Sequence, residues 1–362
     1  MSHPRIRRSR RAAFVALSAA ALALTGCSVT APGGTDSPSA PGASGAPAGE
    51  ASTVRIMTHD SFTLPPELLE RFERESGYRL VTTAPGDSGT VVNQILLAKD
   101  APTVDGVYGV EDHSAHRLVR EGAVAEHTPE NLPASAAELM VDGRMTPVDQ
   151  GQVCFTTDPA WFQAHGVPAP TSIDQLDEPP YAELTVVTSP LTSSPGMSLL
   201  AATTQKYGQD GWQGWWRGLL ENGGKVGAGW SDAYEVDFSG GQGRGAFPIV
   251  LSYVSSPAFA PQTTVIEDSC TPQVEYAGVL EGAQNPEGAR AFVDFLLTEE
   301  VQAALPEAMY MYPVDETIPL PQEWAEHAPL VADPITPDPA RVDEQRENLL
   351  KEWTALSEEV QG

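Results

Sequence analysis

From Val54 to Val110 short apolar runs alternate with amphipathic helical stretches, and this alternation limits the fold more than any other feature of the chain. Val54 to Met57 reads as a strand. Pro65 to Ser76 reads as a helix, with Leu68, Leu69 and Phe72 on one face and Gly77 as its stop. Tyr78 to Thr83 is a second strand, Thr90 to Lys99 a second helix and Val104 to Val110 a third strand. A β-α-β-α-β order predicts a parallel sheet, with ligands beyond the carboxyl ends of its strands. Those ends lead into His59 to Phe62, Asp87 to Gly89 and Glu111 to His113.

The same style continues downstream. Gly151 to Thr157, Leu184 to Thr188, Phe247 to Ser252 and Gln273 to Leu280 read as strands. A helix is expected from Met197 to Tyr207, an amphipathic one from Pro286 to Leu305, and a last one from Asp343 to Val360. Trp212, Trp215 and Trp216 fall at i, i+3 and i+4, the spacing of a helix face packed into a core. About 310 residues of this kind are too many for one ordinary core and suit two α/β lobes.

The N-terminus reads as an address. Arg5, Arg7, Arg8, Arg10 and Arg11 precede an apolar run from Ala12 to Leu24, which is too short to span a bilayer and has the form of a cleaved signal peptide. Leu24-Thr25-Gly26-Cys27 resembles the bacterial lipobox, in which Cys27 becomes the lipidated first residue. Arg10-Arg11 suggests the twin-arginine route, but Phe14 sits one position late for that pattern, and the export route stays open. Ser28 to Ser52 are nearly all Ser, Thr, Ala, Pro and Gly, too polar to offset their ordering entropy, and are expected to form a flexible tether. The whole describes a protein held by lipid on the outer face of a membrane, with two or more acyl chains needed for stable anchoring.

Charge narrows the ligand. The chain carries 21 Lys and Arg against 49 acidic residues, a net charge of −28. Loss of residues 1–26 removes five arginines and no acids, leaving 16 against 49, about −33. That argues against nucleic acid and against a polybasic membrane patch, and it favours cations at long range. With Cys27 lipidated, Cys154 and Cys270 are an even pair in an oxidising compartment, expected as one disulfide, with two separate buried thiols as the alternative.

Several motifs compete for the chemistry. Gly86-Asp87-Ser88-Gly89 superficially matches a serine-protease nucleophile loop, but the barrel and the upstream histidine and aspartate that such a site needs have no room. His113 and His116 lie at i, i+3 beside Glu111 and Asp112 without a third ligand cluster, so a solvated helix start is expected and no metal. Gly241-Gln242-Gly243-Arg244-Gly245 lacks a strand-to-helix setting and reads as a loop. Ser193-Ser194-Pro195-Gly196 can cap a helix, and the same helix start directs free N–H groups toward a phosphate or a polar ring edge. Trp230 and Tyr253 could each be core aromatics. Yet Gly229-Trp230-Ser231-Asp232-Ala233-Tyr234 and Leu251-Ser252-Tyr253-Val254-Ser255-Ser256 set aromatic rings beside hydroxyls and carboxylates, as holding a flat organic cation requires.

At these residues the chain resembles the thiamine-binding proteins of bacterial ABC importers, within the two-lobed periplasmic-binding-protein class. The resemblance runs from about Val54 to Val360 and is carried by Thr58-His59-Asp60-Ser61-Phe62, Asp87, Pro147-Val148-Asp149, Thr192 to Gly196 and Trp230 to Tyr234. Leu251-Ser252-Tyr253, Ser256-Pro257-Ala258, Gln273-Val274-Glu275 and Met311-Tyr312-Pro313-Val314 extend it. It implies a type II fold, α/β, in which each lobe is a mostly parallel sheet flanked by helices and the ligand lies between them. Residues 54–149 with about 273–320 would form the first lobe, and about 150–272 with 321–362 the second, after a signal (1–26) and an anchored tether (27–53).

The resemblance implies ligand contacts at Asp87, Ser88, Ser193, Ser194, Trp230 and Tyr253 through Val254, Ser255 and Ser256. His59, Asp60, Asp232, Tyr234 and Tyr310 would stand in or beside the cleft. His59 stands where relatives can carry tyrosine, and Ser88 where they can carry glycine. Thiamine or its phosphates would be the cargo, an ABC permease the partner, a monomer the working state, and no cofactor would be needed. Receptors of the same fold for polyamine or iron, and a thiaminase-like enzyme with Cys154 or Cys270 as nucleophile, are the competing readings.

Overall fold

The computed structural model describes residues 52–241 and 244–361. The signal peptide, Cys27 and the tether up to residue 51 lie outside the described residues, as does the centre of the 241–245 glycine run. Among the described residues no helix is long and apolar enough to cross a membrane.

The first lobe starts as the alternation requires. Strands β1 (Thr53–Thr58), β2 (Arg79–Thr83) and β3 (Gly106–Glu111) are parallel, with Met57 opposite both Thr83 and Val107. Helices α1 (Pro66–Ser76), α2 (Ser88–Leu97) and α3 (Asp112–Arg120) follow them in turn. The second lobe uses β4 (Met145–Thr157), α4 (Pro159–His165), β5 (Thr185–Thr188), α5 (Ser194–Glu221), β6 (Lys225–Gly227) and β7 (Ile249–Tyr253). A short α6 (Ser256–Phe259) leads to β8 (Thr264–Val279), which returns to the first lobe. Then come α7 (Pro286–Leu296), α8 (Glu299–Met309), β9 (Tyr312–Pro313), α9 (Gln322–His327) and α10 (Pro339–Gln361).

The strands form a single sheet in the order β2-β1-β3-β8-β4-β7-β5-β6, with β9 beside β4. Two parallel triplets, β2-β1-β3 and β7-β5-β6, therefore flank a central antiparallel pair, β8 and β4. Those two strands are 16 and 13 residues long, and their pairing shifts register between Pro147 and Asp149 and again between Val153 and Phe155. An extra residue at such a shift bends a strand and tightens its twist, so the shared strands change direction where one lobe gives way to the other. Cys154 and Cys270 are joined by a disulfide across this pair, packed with Val254, Tyr312 and Trp324. Helix α10 packs on α5 of the second lobe and on α3 of the first.

Two expected elements differ. The helix anticipated from Pro286 to Leu305 is two helices, because Thr298 is extended (φ −70°, ψ 149°) and restarts the chain at α8. The start of α3 is not solvated: Asp112 and His113 are buried near Arg346 of α10, which packs on this helix. The tryptophans at 212, 215 and 216 are core, as their spacing indicates.

Candidate functional site

A cavity of about 260 Å³ opens where the strand ends of the two lobes meet, lined among others by His59, Asp60, Phe62, Asp87, Ser194, Trp230, Glu235, Tyr253, Glu275 and Tyr310. None of the described residues lining it is Lys or Arg. Four of the lining residues are acidic, Asp60, Asp87, Glu235 and Glu275, and of these Asp87 and Glu275 are buried.

Among the central strands, β8 reaches the cavity through Glu275, with β3 and β4 beside it in the sheet. Gln273 and Glu275 alternate onto one face of β8, and Glu275 stands opposite Asp149 on β4 and Glu111 on β3. Like charges directly opposite are unfavourable, so each carboxylate needs a separate means of relief. The Tyr108 hydroxyl donates to Asp149, whose carboxyl is pushed well up by burial and by Glu275. Glu111 caps α3, accepting from Ser114 N at 2.7 Å. Glu275 has the least: Gln273 Nε2 at 3.4 Å from Oε1 and His59 Nε2 at 3.4 Å from Oε2.

His59 follows β1 and is itself buried. Burial alone would lower its pKa, but Glu275, Asp87 and Asp60 outweigh it and raise the value above 6.5. The ring lies against β3 at Gly109 (φ +83°), where an added Cβ would sit 1.9 Å from His59 Cδ2. Only glycine combines that left-handed backbone with so close an approach.

Asp87 connects the two lobes. It caps α2 by accepting from Ser88 N at 2.6 Å, and across the cleft it accepts from Ser194 N at 3.3 Å and Trp230 N at 3.0 Å. Ser194 opens α5, whose unpaired N–H groups attract negative charge. One N–H of this helix start, that of Ser194, is therefore turned to Asp87. Burial raises the Asp87 pKa, against the pull of Ser193, Trp230, His59 and Ser88. Gly196 brings this helix start onto β5, since a Cβ there would meet Thr188 O at 2.4 Å.

The opposite wall is aromatic. Trp230 stacks on Tyr234 (centroids 5.0 Å apart, 12°) and meets Tyr310 edge-on at 5.3 Å and Tyr253 at 6.0 Å. Its Nε1 donates to Ser252 Oγ at 2.9 Å, which in turn lies 2.9 Å from Ser256 Oγ. Tyr253 shares Gln273 with Glu275 through a 3.2 Å bond to its hydroxyl. Tyr310 ends α8 at φ +60°, an uncommon conformation for a large side chain, held by Ser255 Oγ donating to its carbonyl at 2.6 Å and by stacking on Phe259 at 3.7 Å. Backbone strain held in place by neighbours in this way concentrates at ligand-handling sites.

Of the residues singled out by sequence, His59, Asp60, Asp87, Ser194, Trp230, Tyr253 and Tyr310 line the cavity. Ser88 and Ser193 are buried just behind, the latter donating to Thr188 Oγ1 at 2.9 Å. Tyr234 backs Trp230, while Ser255 and Ser256 brace Tyr310 and Trp230 without lining the space. Two expectations are corrected. Val254 is on the far side of its turn, in the apolar cluster with the disulfide, because strand neighbours alternate faces. Asp232, at the start of a π-helical turn (Asp232–Asp237), does not line the cavity, whereas Glu235 of the same turn does, although both are exposed. Glu275, Gln273 and Glu235 were not identified as site residues. A glutamate between Val274 and Tyr276 in a strand is a visible anomaly, and it was the signal available.

Among the described residues, no group of three His, Cys, Asp or Glu is placed to hold a metal ion. The family model described as bacterial extracellular solute-binding protein matches residues 102–341. The chain is 27% identical to the thiamine-binding periplasmic protein of Brucella suis over 328 residues, covering 86% of this chain and 94% of that one. It is 26% identical to the thiamine-binding periplasmic protein of Escherichia coli over 315 residues, covering 83% and 92%. A solved periplasmic thiamin binding protein superposes with a TM-score of 0.74 at 24% identity, covering 84% of this chain and 96% of that one. The fold is thus the two-lobed, type II periplasmic-binding-protein fold.

Proposed function

From the premise that the chain belongs to the bacterial extracellular solute-binding proteins, we propose that it captures thiamine outside the cytoplasm and delivers it to an ABC importer. The observation that carries this reading is the pairing, in one cavity, of an aromatic wall with buried carboxylates and no lining Lys or Arg. Thiamine joins an aminopyrimidine to a permanently cationic thiazolium. An aromatic face attracts such a cation by about 2 kcal/mol or more once water is excluded, and a buried cation without a counter-charge is costly. Trp230, Tyr253 and Tyr310 supply the faces, while the buried Asp87 and Glu275 and the exposed Glu235 supply the charge. The names of the curated relatives support the same ligand.

Thiamine itself is the preferred form. The Ser194 N–H at the start of α5 is engaged by Asp87, and an acidic cavity repels a phosphate. Calorimetric titration should give a Kd tighter than about 10 μM for thiamine, roughly −7 kcal/mol, with weaker binding of the monophosphate and weaker still of the diphosphate. No binding of thiamine, or tighter binding of the diphosphate, would overturn this order.

The protein works as a monomer tethered through acylated Cys27. A Cys27→Ser variant should move from the membrane fraction to the medium or periplasm, and unchanged partition would remove the anchor. A thiaminase-like enzyme would need a free thiol in the cleft. Cys154 and Cys270 are instead bonded to each other, fully buried, and outside the cavity lining. An assay in which thiamine is turned over would displace the transport reading.

A further inference from the structure

Glu275 is the carboxylate that the cavity leaves least satisfied. Its side chain is 5% exposed, and Oε2 has no hydrogen-bond partner. Acidic neighbours alone do not make a site, but an unpartnered buried oxygen in a cavity wall is an independent sign of a missing cation. Among the described residues, the group paired with it that can carry positive charge is the imidazole of His59, with Nε2 3.4 Å from Oε2. The surroundings of that imidazole come from four elements: Asp60 on its own loop, Asp87 before α2, Glu275 on β8, and the Tyr108 ring of β3 at 5.7 Å. Asp149 on β4, Glu111 on β3, Gln273 of the same strand and the Tyr253 hydroxyl of β7 also surround Glu275. Gly109 holds the ring in place, since the imidazole fills the space a side chain there would take.

Resting on the thiamine reading, we propose that Glu275 is the counter-charge for the ligand's cation and that, without ligand, protonated His59 takes that cation's place beside it. The two cations compete for one carboxylate. When the thiazolium arrives, the N–H bond at His59 breaks, its electron pair stays on the ring nitrogen, and the proton leaves to solvent. No other bond changes. Binding is thereby linked to the release of a proton, and affinity rises with pH until His59 is neutral in the free protein.

Thiamine titrations of the full-length protein between pH 5.5 and 8.5, in two buffers of different protonation heat, read this directly. The wild type should lose affinity by about tenfold per pH unit below the His59 midpoint and release about one proton per thiamine bound. His59→Gln should abolish both the slope and the proton release. Glu275→Gln should bind at least about tenfold more weakly at pH 8, also without the slope. A wild-type slope persisting in His59→Gln, or wild-type affinity in Glu275→Gln, would overturn the proposal. The ligand-free pair is checked separately by NMR titration of the imidazole. A midpoint above 6.5 that falls in Glu275→Gln supports the pair, and an unmoved midpoint refutes it. Absence of thiamine binding at every pH would sink the ligand assignment, while this NMR result would still decide whether the His59–Glu275 pair exists.

Discussion

Two histidines are buried just beyond the carboxyl ends of neighbouring parallel strands, His59 after β1 and His113 after β3, and their surroundings drive them in opposite directions. Both lose solvation. His59 faces Glu275, Asp87 and Asp60 and is raised; His113 faces Arg346 and His116 and is lowered to about 3. The acids follow the same division. Around His113, Arg120 pairs with Asp343, and Arg346 offsets Glu111. Around His59 the described residues supply no Lys or Arg to the cavity, only an imidazole able to give up its charge. Buried charge balanced by permanent cations of the same chain is scaffold. Buried charge left to a group that titrates is a place where an outside cation can enter.

The contrast can be broken from the scaffold side first. Arg346→Met should cost about 3–5 kcal/mol of stability by leaving buried acids without their cation, read as a lower urea midpoint. Glu275→Gln should leave the ligand-free midpoint nearly unchanged. Equal losses would erase the distinction between the two clusters.

The pH dependence of folding is the next largest effect. His113 has a folded value near 3 against 6.5 unfolded, so the unfolded chain binds more protons between those limits. Its contribution is complete above 6.5 and is lost as pH falls toward 3, by a few kcal/mol at most. His59 has the opposite sign: a raised folded value gives stability that is complete below 6.5 and fades as pH rises through that value. Denaturation curves across pH should therefore flatten on the acid side in His113→Gln and on the alkaline side in His59→Gln. The same limb flattening in both would contradict the assignment.

Asp87→Ala removes the acceptor for three backbone N–H groups, two of them across the cleft. Leaving those donors unpaired should cost about 2 kcal/mol, more in the ligand-bound than in the ligand-free protein. Smallest is Trp230→Leu, which keeps apolar bulk and removes the π face. It should weaken thiamine binding by about 1 kcal/mol with little change in melting, and Tyr253→Leu should behave alike.

What could be read from the chain follows from how local each signal is. The alternation between Val54 and Val110 exposed the first parallel triplet because each strand and helix carries its own period. The long central strands were half hidden. β4 contains Pro147 and β8 contains Glu267, Asp268 and Pro272, so their first halves do not look like strands until they pair with each other. The aromatic wall was legible because Trp230 and Tyr253 sit in turn-like surroundings at the rims of elements. The buried acids at and beside the cavity were not, since Glu275, Asp149 and Glu111 lie far apart in sequence and meet only through strand register. Asp232 was misplaced and Glu235 missed because a π-helical turn changes which residue faces inward. The burial of His113 depends on Arg346 of α10, more than two hundred residues away, and no local pattern announces it.

The central claim is that the cleft of this protein binds an organic cation against the charge of Glu275, and one measurement tests it most directly. Thiamine titrated calorimetrically into the wild type at pH 8 should bind with a Kd below about 10 μM, and Glu275→Gln should reduce that affinity at least about tenfold while melting like the wild type. Wild-type affinity retained without the Glu275 charge would contradict the account.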